Sequence, residues 1–234
     1  YYFRGLTYLK TNQLSKAQSD FKKATQERKS YSLAQLGQAM SQLAYRHAKD
    51  LKKAIFMLET ARNGFNRDGF QPEIGGMSVN EAKATASFYR AYAQYLFMRL
   101  YPSQSDSRIS WNNALNDCET AALYGRGNVE IMNDIMTLKG LIILSNVQLS
   151  ETEKAAESFK RILAETPEDS WAKYGLAACK LVEGETSHTV LPMLEEAFEK
   201  KEISWLEISQ DPWLKNIKSS AGFRKLRRQY LAPM

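Results

Sequence analysis

Few residues in this chain have the types and spacing that catalysis or metal binding needs. Only His47 and His188 occur as histidines, and neither has a second ligand at a metal-binding spacing. The segment 19–22 matches a Ser-x-x-Lys nucleophile motif, but its Phe21 falls on the buried side of a predicted helix. The sequence has no phosphate-binding loop, dinucleotide fingerprint or nucleophile elbow. We therefore predict a protein that is not an enzyme and that uses no metal or cofactor.

Positive charge is the second chemical feature, and it is concentrated near the end of the chain. The net charge is +6, and the residues from Asp211 onward contribute +5 of it. This basic patch consists of Lys215, Lys218, Arg224, Lys225, Arg227 and Arg228. Clustered Lys and Arg attract nucleic acid, acidic protein segments or anionic lipid. Short helices also need a solvated outer face, and the nearby aromatic residues follow a packing stripe, so nucleic-acid binding is the less favoured interpretation.

The composition indicates a globular chain with a buried core. Hydrophobic residues make up 44% and charged residues 25%, and apolar runs such as 141–144 are far shorter than the roughly 20 residues of a membrane span. We therefore expect no membrane helix. Cys118 and Cys179 fall at apolar positions of helical patterns, where free thiols pack as small hydrophobes. A reducing compartment such as the cytoplasm is favoured, and no targeting segment can be read.

The elements that must position any site are helices, because apolar residues recur at spacings of three and four throughout the chain. Five two-helix patterns follow one another, each with a small residue in its first helix: Gly5, Gly37, Ala93, Gly140 and Gly175. The second helices carry triplets spaced by four and three, namely Ala17/Phe21/Ala24, Ala54/Leu58/Ala61, Ala114/Cys118/Ala121, Ala155/Phe159/Ile162 and Val190/Leu194/Ala197. Periods near 34 residues indicate a helix-turn-helix solenoid.

These residues resemble the tetratricopeptide repeat family. The best matches are Tyr1 to Tyr8 with Ala17 to Phe21, and Trp171 to Leu176, while Pro167 stands where the family often has proline. The resemblance covers about residues 1 to 200. It implies an all-α, right-handed superhelix whose first helices line a concave groove for peptides, usually without catalysis.

The predicted repeats span residues 1–30, 31–65, 81–124, 128–165 and 167–200. Two insertions, 64–78 and 101–110, interrupt the period and read as Gly/Pro- and Ser-rich loops. Residues 201–234 form a basic helical cap with pieces at 211–218 and 220–231, because a solenoid must cover its last repeat. Helix starts are predicted at Thr166-Pro167, at Asp211-Pro212, and at Ser150 with Glu153.

The family geometry also implies which residues face the groove. Residues one, four and five positions after each small residue are the candidates: Leu6, Leu9, Lys10, Gln38, Ser41, Gln42, Gln94, Phe97, Met98, Leu141, Leu144, Ser145, Leu176, Cys179 and Lys180. Amides and hydroxyls would bond a peptide backbone while Phe97 and Met98 pack its side chains. The alternative is that half of these residues are core contacts between repeats.

The leading hypothesis is a protein-interaction module, with self-assembly into a larger complex and helical-repeat RNA binding as alternatives. One subset of the family grips a free C-terminal carboxylate of chaperones with Lys and Asn. Tyr2 and Leu6 stand at those positions here, so we do not predict chaperone-tail binding.

Overall fold

The computed structural model describes residues 1–28, 31–65, 77–146 and 151–231, and all regular secondary structure in these ranges is helical. The all-α prediction is therefore confirmed, while the right-handed superhelix stays a prediction. The chain divides into two compact units, Tyr1–Ile135 and Met136–Met234, which are described separately. None of the described helices is both long and apolar enough to cross a membrane.

In the first unit each helix packs on the next one in the sequence. The helices are α1 (Tyr2–Lys10), α2 (Leu14–Glu27), α3 (Ser32–Leu43), α4 (Ala48–Gly64), α5 (Val79–Leu100) and α6 (Trp111–Tyr124). Contacts also join α1 to α3 and α3 to α5. Another helix, α7 (Val129–Ser145), crosses the division between the units.

A phenylalanine ring fills the space where α1, α2 and α3 meet. The Phe21 side chain on α2 is fully buried, with Gly5 of α1 and Gly37 of α3 against its ring. A Cβ atom would come within 2.8 Å of the ring at Gly5 and within 2.6 Å at Gly37. Since protein interiors are already close-packed, a side chain at either position would force the ring to move. We call this arrangement the Phe21 junction.

The third helix pair, α5 and α6, packs through smaller side chains. Ala93 of α5 and Cys118 of α6 are fully buried at the positions that Gly5 and Phe21 hold in the first pair. Both cysteines of the chain are buried and neither is in a disulfide, which confirms the packing role predicted for them. The loop 101–110 joins α5 to α6 without regular helix. Most of the other predicted insertion, residues 66–76 of 64–78, lies outside the described residues.

The second unit contains the end of α7 and a further series of helices. These are α8 (Thr152–Glu165), α9 (Ser170–Val182), α10 (Ser187–Phe198), α11 (Trp205–Ile208), a 3-10 helix (Pro212–Asn216) and α12 (Ala221–Tyr230). Phe159 of α8 is fully buried between two glycines, Gly140 of α7 and Gly175 of α9. A Cβ atom would meet the ring at 2.5 Å from Gly140 and at 2.2 Å from Gly175. This Phe159 junction repeats the Phe21 junction.

Helix starts in the second unit agree only partly with prediction. The prediction that Thr166 caps a helix with Pro167 in its first turn is wrong, because α9 begins at Ser170. Asp169 is its cap, and its carboxylate accepts the backbone N–H of Ala172 at 2.7 Å. A carboxylate next to the helix start satisfies a donor that Thr166 is too far away to reach. Pro212 does open a helix, of the 3-10 type, and Ser150 lies outside the described residues.

Buried polar contacts hold the end of the chain against α9. The Trp213 indole donates to the Tyr174 hydroxyl at 3.0 Å, and that hydroxyl donates to the carboxylate of Asp211. Both Tyr174 and Asp211 are buried. Contacts between α10 and α12 add a second attachment, so the segment after α10 packs on the helices before it.

Candidate functional site

The candidate groove residues differ widely in accessibility. Lys10 is exposed, and Leu6, Leu9, Gln38, Met98, Ser145, Leu176 and Lys180 are half-buried. The remaining candidates are buried: Ser41, Gln42, Gln94, Phe97, Leu141, Leu144 and Cys179. Buried side chains have no surface for a partner in this conformation, so only the first group can form a binding surface. This division corresponds to the alternative in which half of the candidates are core contacts.

Two of the buried candidates in the first unit, Gln94 and Phe97, contact residues that line a cleft. The Gln94 amide donates to the Asp117 carboxylate at 2.7 Å, and the Phe97 ring lies beneath the Lys52 ammonium, 5.0 Å from its centroid. Both Asp117 and Lys52 line a cleft of about 540 Å³. Its size falls in the range of roughly 300–1,000 Å³ that is typical of ligand sites.

The cleft is formed by α4, α5, the loop 101–110 and α6, all within the first unit. Its charged lining residues are Lys52, Glu59, Arg62, Arg90, Asp106, Arg108 and Asp117. Ile55, Phe56 and Ile109 provide apolar surface, and Ser107, Asn113, Asn116 and Thr120 provide neutral polar groups. We call it the arginine cleft.

Asp117 is the centre of the inner wall of the arginine cleft. Its Oδ1 atom lies 3.1 Å from Nη1 of Arg62 and 3.3 Å from Nη1 of Arg90, while Oδ2 accepts the Gln94 amide. Burial raises the pKa of the Asp117 carboxyl above its usual range, and the positive charges of Arg90 and Arg62 oppose that rise. The three donors come from α4 and α5, so this one carboxylate on α6 joins three helices.

Asp106 organises the outer wall of the arginine cleft, on the loop 101–110. It accepts the backbone N–H of Arg108 at 3.1 Å and the Nε–H of the same residue at 3.2 Å, and it lies 3.6 Å from the Lys52 ammonium. The hydrogen bonds from Arg108 lower the pKa of Asp106. The Asn113 amide donates to the carbonyl oxygen of Arg108, and the Tyr101 hydroxyl donates to the carbonyl oxygen of Arg46. These bonds attach the loop at both ends.

The residues that could carry catalysis do not assemble. His47 and His188 are exposed on separate units. The Ser19 hydroxyl belongs to an exposed residue two positions from the Phe21 ring. Burial raises the pKa of the Cys179 thiol to about 12, which disfavours the thiolate. Within the described ranges, no three His, Cys, Asp or Glu side chains are grouped to hold a metal ion.

The predicted basic patch lies on the second unit. Lys215, Arg224, Lys225, Arg227 and Arg228 are exposed, whereas Lys218 is half-buried and donates to the carbonyl oxygen of Ser209. The Arg227 guanidinium stacks on the Trp205 ring, 4.3 Å from its centroid. Lys218 and Arg227 therefore make contacts within the unit. Arg224, Lys225 and Arg228 form the outer face of α12.

The arginine cleft was missed at the sequence level because its members are far apart in the chain. One signal was present. An acidic residue stands directly before the central residue of a second-helix triplet in only two pairs, as Asp20 before Phe21 and as Asp117 before Cys118. An acid at the edge of a buried stripe requires a cationic partner, and the arginines of α4 and α5 supply it.

Comparisons with known proteins give no relative from which a function could be transferred. No family model matches the sequence, and no curated protein matches it significantly. The geometry of the two junctions and of the arginine cleft is therefore the basis for a functional proposal.

Proposed function

We propose that the chain is a non-catalytic protein-interaction module built from tetratricopeptide-like helix pairs, which binds a segment of a partner protein. The observation that supports this proposal is the recurrence of one packing arrangement. Gly5, Phe21 and Gly37 stand at intervals of 16 residues in the first unit. Gly140, Phe159 and Gly175 reproduce the contact in the second unit, at intervals of 19 and 16 residues.

Recurrence of this kind favours a repeat protein because a lone helix pair cannot bury its own apolar face. In each junction the ring of a second helix contacts the first helix of its own pair and the first helix of the following pair. One ring therefore packs the two helices of a pair together and also packs that pair against the next one. Repeat stacks of helix pairs present extended surfaces that bind peptides and protein segments.

We propose one binding surface on each unit, consisting of that unit's accessible first-helix candidates. In the first unit these are Leu6, Leu9, Lys10, Gln38 and Met98. In the second unit they are Ser145, Leu176 and Lys180. Leu and Met side chains offer apolar contacts, while the amide and ammonium groups offer hydrogen bonds to a peptide backbone.

Site-specific photo-crosslinking tests this proposal. A benzophenone amino acid is placed at Lys10 or Gln38 on first helices, and at Lys22 or Glu27 on the second helix α2 as matched controls. We expect one partner to be captured at the first-helix positions and not at the control positions. Equal capture at both sets would contradict the proposed surface.

A purified partner then allows a quantitative measurement. The double variant Leu6→Ala with Gln38→Ala should weaken binding about tenfold, measured by titration calorimetry, because the two truncations together should remove about 1.4 kcal/mol of binding free energy. The control variant Lys22→Ala with Glu27→Ala should leave the affinity unchanged. Full affinity in the first double variant would remove these residues from the binding surface.

A further inference from the structure

We propose that the arginine cleft binds an acidic side chain of the partner segment together with a neighbouring apolar side chain. This inference rests on the proposed function and names the chemistry that a second surface of the module would recognise. The carboxylate would lie among Arg62, Arg90 and Arg108, and the apolar side chain would pack on Phe56.

The balance of charge in the cleft favours an anion. Among the described lining residues there are four cations, Lys52, Arg62, Arg90 and Arg108, and three carboxylates, Glu59, Asp106 and Asp117. A guanidinium group has five N–H donors in a planar fork that matches a carboxylate. The hydrogen bond described between Arg62 and Asp117 uses one of the five N–H donors of that guanidinium group, so other donors can serve an incoming anion.

The inner arginines are largely removed from water, which strengthens their interaction with an anion. The side chains of Arg62 and Arg90 are 20% and 15% exposed. Within the described part of the chain, the Nε atom of Arg90 is buried without an acceptor. Its Nη2 atom is 3.9 Å from Glu59, whose side chain is 48% exposed. That contact is long and solvated, so a ligand carboxylate can replace Glu59 at Arg90.

Apolar surface lies beside these donors. The Phe56 residue is 62% exposed on α4, next to the buried Ile55 and the half-buried Ile109. An exposed aromatic ring beside charged donors offers a partner side chain apolar surface to cover. A partner side chain that covered Phe56 would remove apolar surface of both proteins from water.

The same lining disfavours a polyanion as the ligand. Asp106 and Asp117 would repel successive phosphates of a nucleic acid, and the described lining residues include one aromatic ring, Phe56, for base stacking. A single carboxylate adds one negative charge to a lining whose balance is one positive charge. An acidic residue of a protein segment is therefore the ligand that this lining fits.

An array of short peptides tests the inference directly. Acetylated tripeptide amides of the type Xaa-Glu-Xaa are compared with the matching Xaa-Gln-Xaa peptides by fluorescence anisotropy, with the full chain as the receptor. We expect Glu peptides with a large apolar neighbour to bind about tenfold more tightly than their Gln matches, because a hydrogen bond to a charged group is the stronger one. Equal binding across all Glu and Gln pairs would overturn the inference.

Surface variants locate the binding in the cleft. Arg108→Ala and Phe56→Ala change exposed side chains, so the fold should persist, and each should weaken the best Glu peptide severalfold. Arg126→Ala and Phe3→Ala are matched controls at exposed positions outside the cleft and should have no effect. Unchanged binding in Arg108→Ala and Phe56→Ala would place the peptide elsewhere and contradict the inference.

The peptide experiment and the crosslinking experiment test the cleft assignment and the proposed function separately. If a partner is crosslinked at first-helix positions while Glu and Gln peptides bind equally, the module is retained and the cleft assignment fails. If no partner is captured at any position while Glu peptides bind in the cleft, the first-helix surface fails and the cleft assignment stands.

Discussion

The first and third helix pairs each have an aspartate directly before the central residue of the second helix. The pKa of this aspartate is shifted in opposite directions in the two pairs. Asp20 precedes Phe21 and makes two hydrogen bonds with the Arg4 guanidinium, at 2.6 and 2.8 Å, and these bonds lower the pKa of Asp20. Asp117 precedes Cys118 and has two arginines and an amide around it, yet burial raises its pKa. The number of positive partners therefore does not determine the direction of the shift.

The difference arises from the surroundings of the partner. The Asp20 side chain is 5% exposed, but its partner Arg4 is 56% exposed, so the guanidinium side of this pair remains in contact with water. Arg62 and Arg90 are mostly covered, so the charges around Asp117 have lost much of their hydration. The ion pair of Asp20 with Arg4 therefore lies at the edge of the first helix pair, whereas the ion pairs of Asp117 form part of the wall of the arginine cleft.

Removal of each carboxylate gives the largest expected contrast between the two pairs. Asp117→Ala leaves Arg62 and Arg90 without their buried partner and should lower the free energy of unfolding by about 3–5 kcal/mol. Asp20→Ala should cost less, because Arg4 returns to water. Urea unfolding followed by circular dichroism measures both. Equal losses in the two variants would show that burial does not separate the two sites.

Alanine at a junction glycine should give the next largest effect. Gly37→Ala would place a Cβ atom 2.6 Å from the Phe21 ring and should destabilise the chain by about 1–3 kcal/mol. The third pair already has alanine at the corresponding position, so Ala93→Gly introduces no clash and should destabilise by about 1–2 kcal/mol, through lost helix propensity and a lost buried methyl group. Thermal unfolding of both variants checks this order.

A second substitution tests the steric explanation. Phe21→Leu combined with Gly37→Ala should lose less stability than the sum of the two single variants, because the smaller side chain makes room for the methyl group. Additive losses would mean that the ring and the glycine do not interact as described.

The junctions are more predictable from the sequence than the cleft is, for a physical reason. A glycine against a ring is a local volume requirement that repeats at a fixed interval, so Gly5, Gly37, Gly140 and Gly175 carry their signal in the sequence. The cleft depends on Arg62, Arg90 and Asp117, which come from three helices and have no regular spacing. Only the position of Asp117 before Cys118 gave a hint of it.

Two predictions at single positions differ from the structure because of an aspartate. The spacing from Ala93 predicts that Gln94 faces the groove, but the Gln94 amide donates to the buried Asp117 carboxylate on the facing helix. The Thr166-Pro167 pair predicts a helix start there, but Asp169, directly before α9, is the cap.

Titration of the two aspartates should show a smaller but diagnostic contrast. The folded-state pKa of Asp20 is lowered, so its contribution to stability is present above the unfolded value near 3.8 and is lost as the pH falls. The pKa of Asp117 is raised, so its ionisation costs stability as the pH rises above that value. Carboxyl NMR shifts should give opposite displacements, and two displacements in the same direction would contradict the comparison.

Salt should produce the smallest difference. Raising the ionic strength from about 0.1 to 1 M shortens the screening length from about 10 to 3 Å. The pKa of Asp20 should then move toward its ordinary value because Arg4 is exposed, while that of Asp117 should change less. The same NMR titration at both salt concentrations measures this, and an equal response of the two carboxyls would argue that water reaches both sites.

The two junctions also offer a way to search for other chains of this design by three residues rather than by overall similarity. In each junction, two glycines leave room for one aromatic ring, and a side chain on either glycine would meet that ring. The fingerprint is glycine, phenylalanine and glycine at intervals of 16 to 19 residues within amphipathic helices.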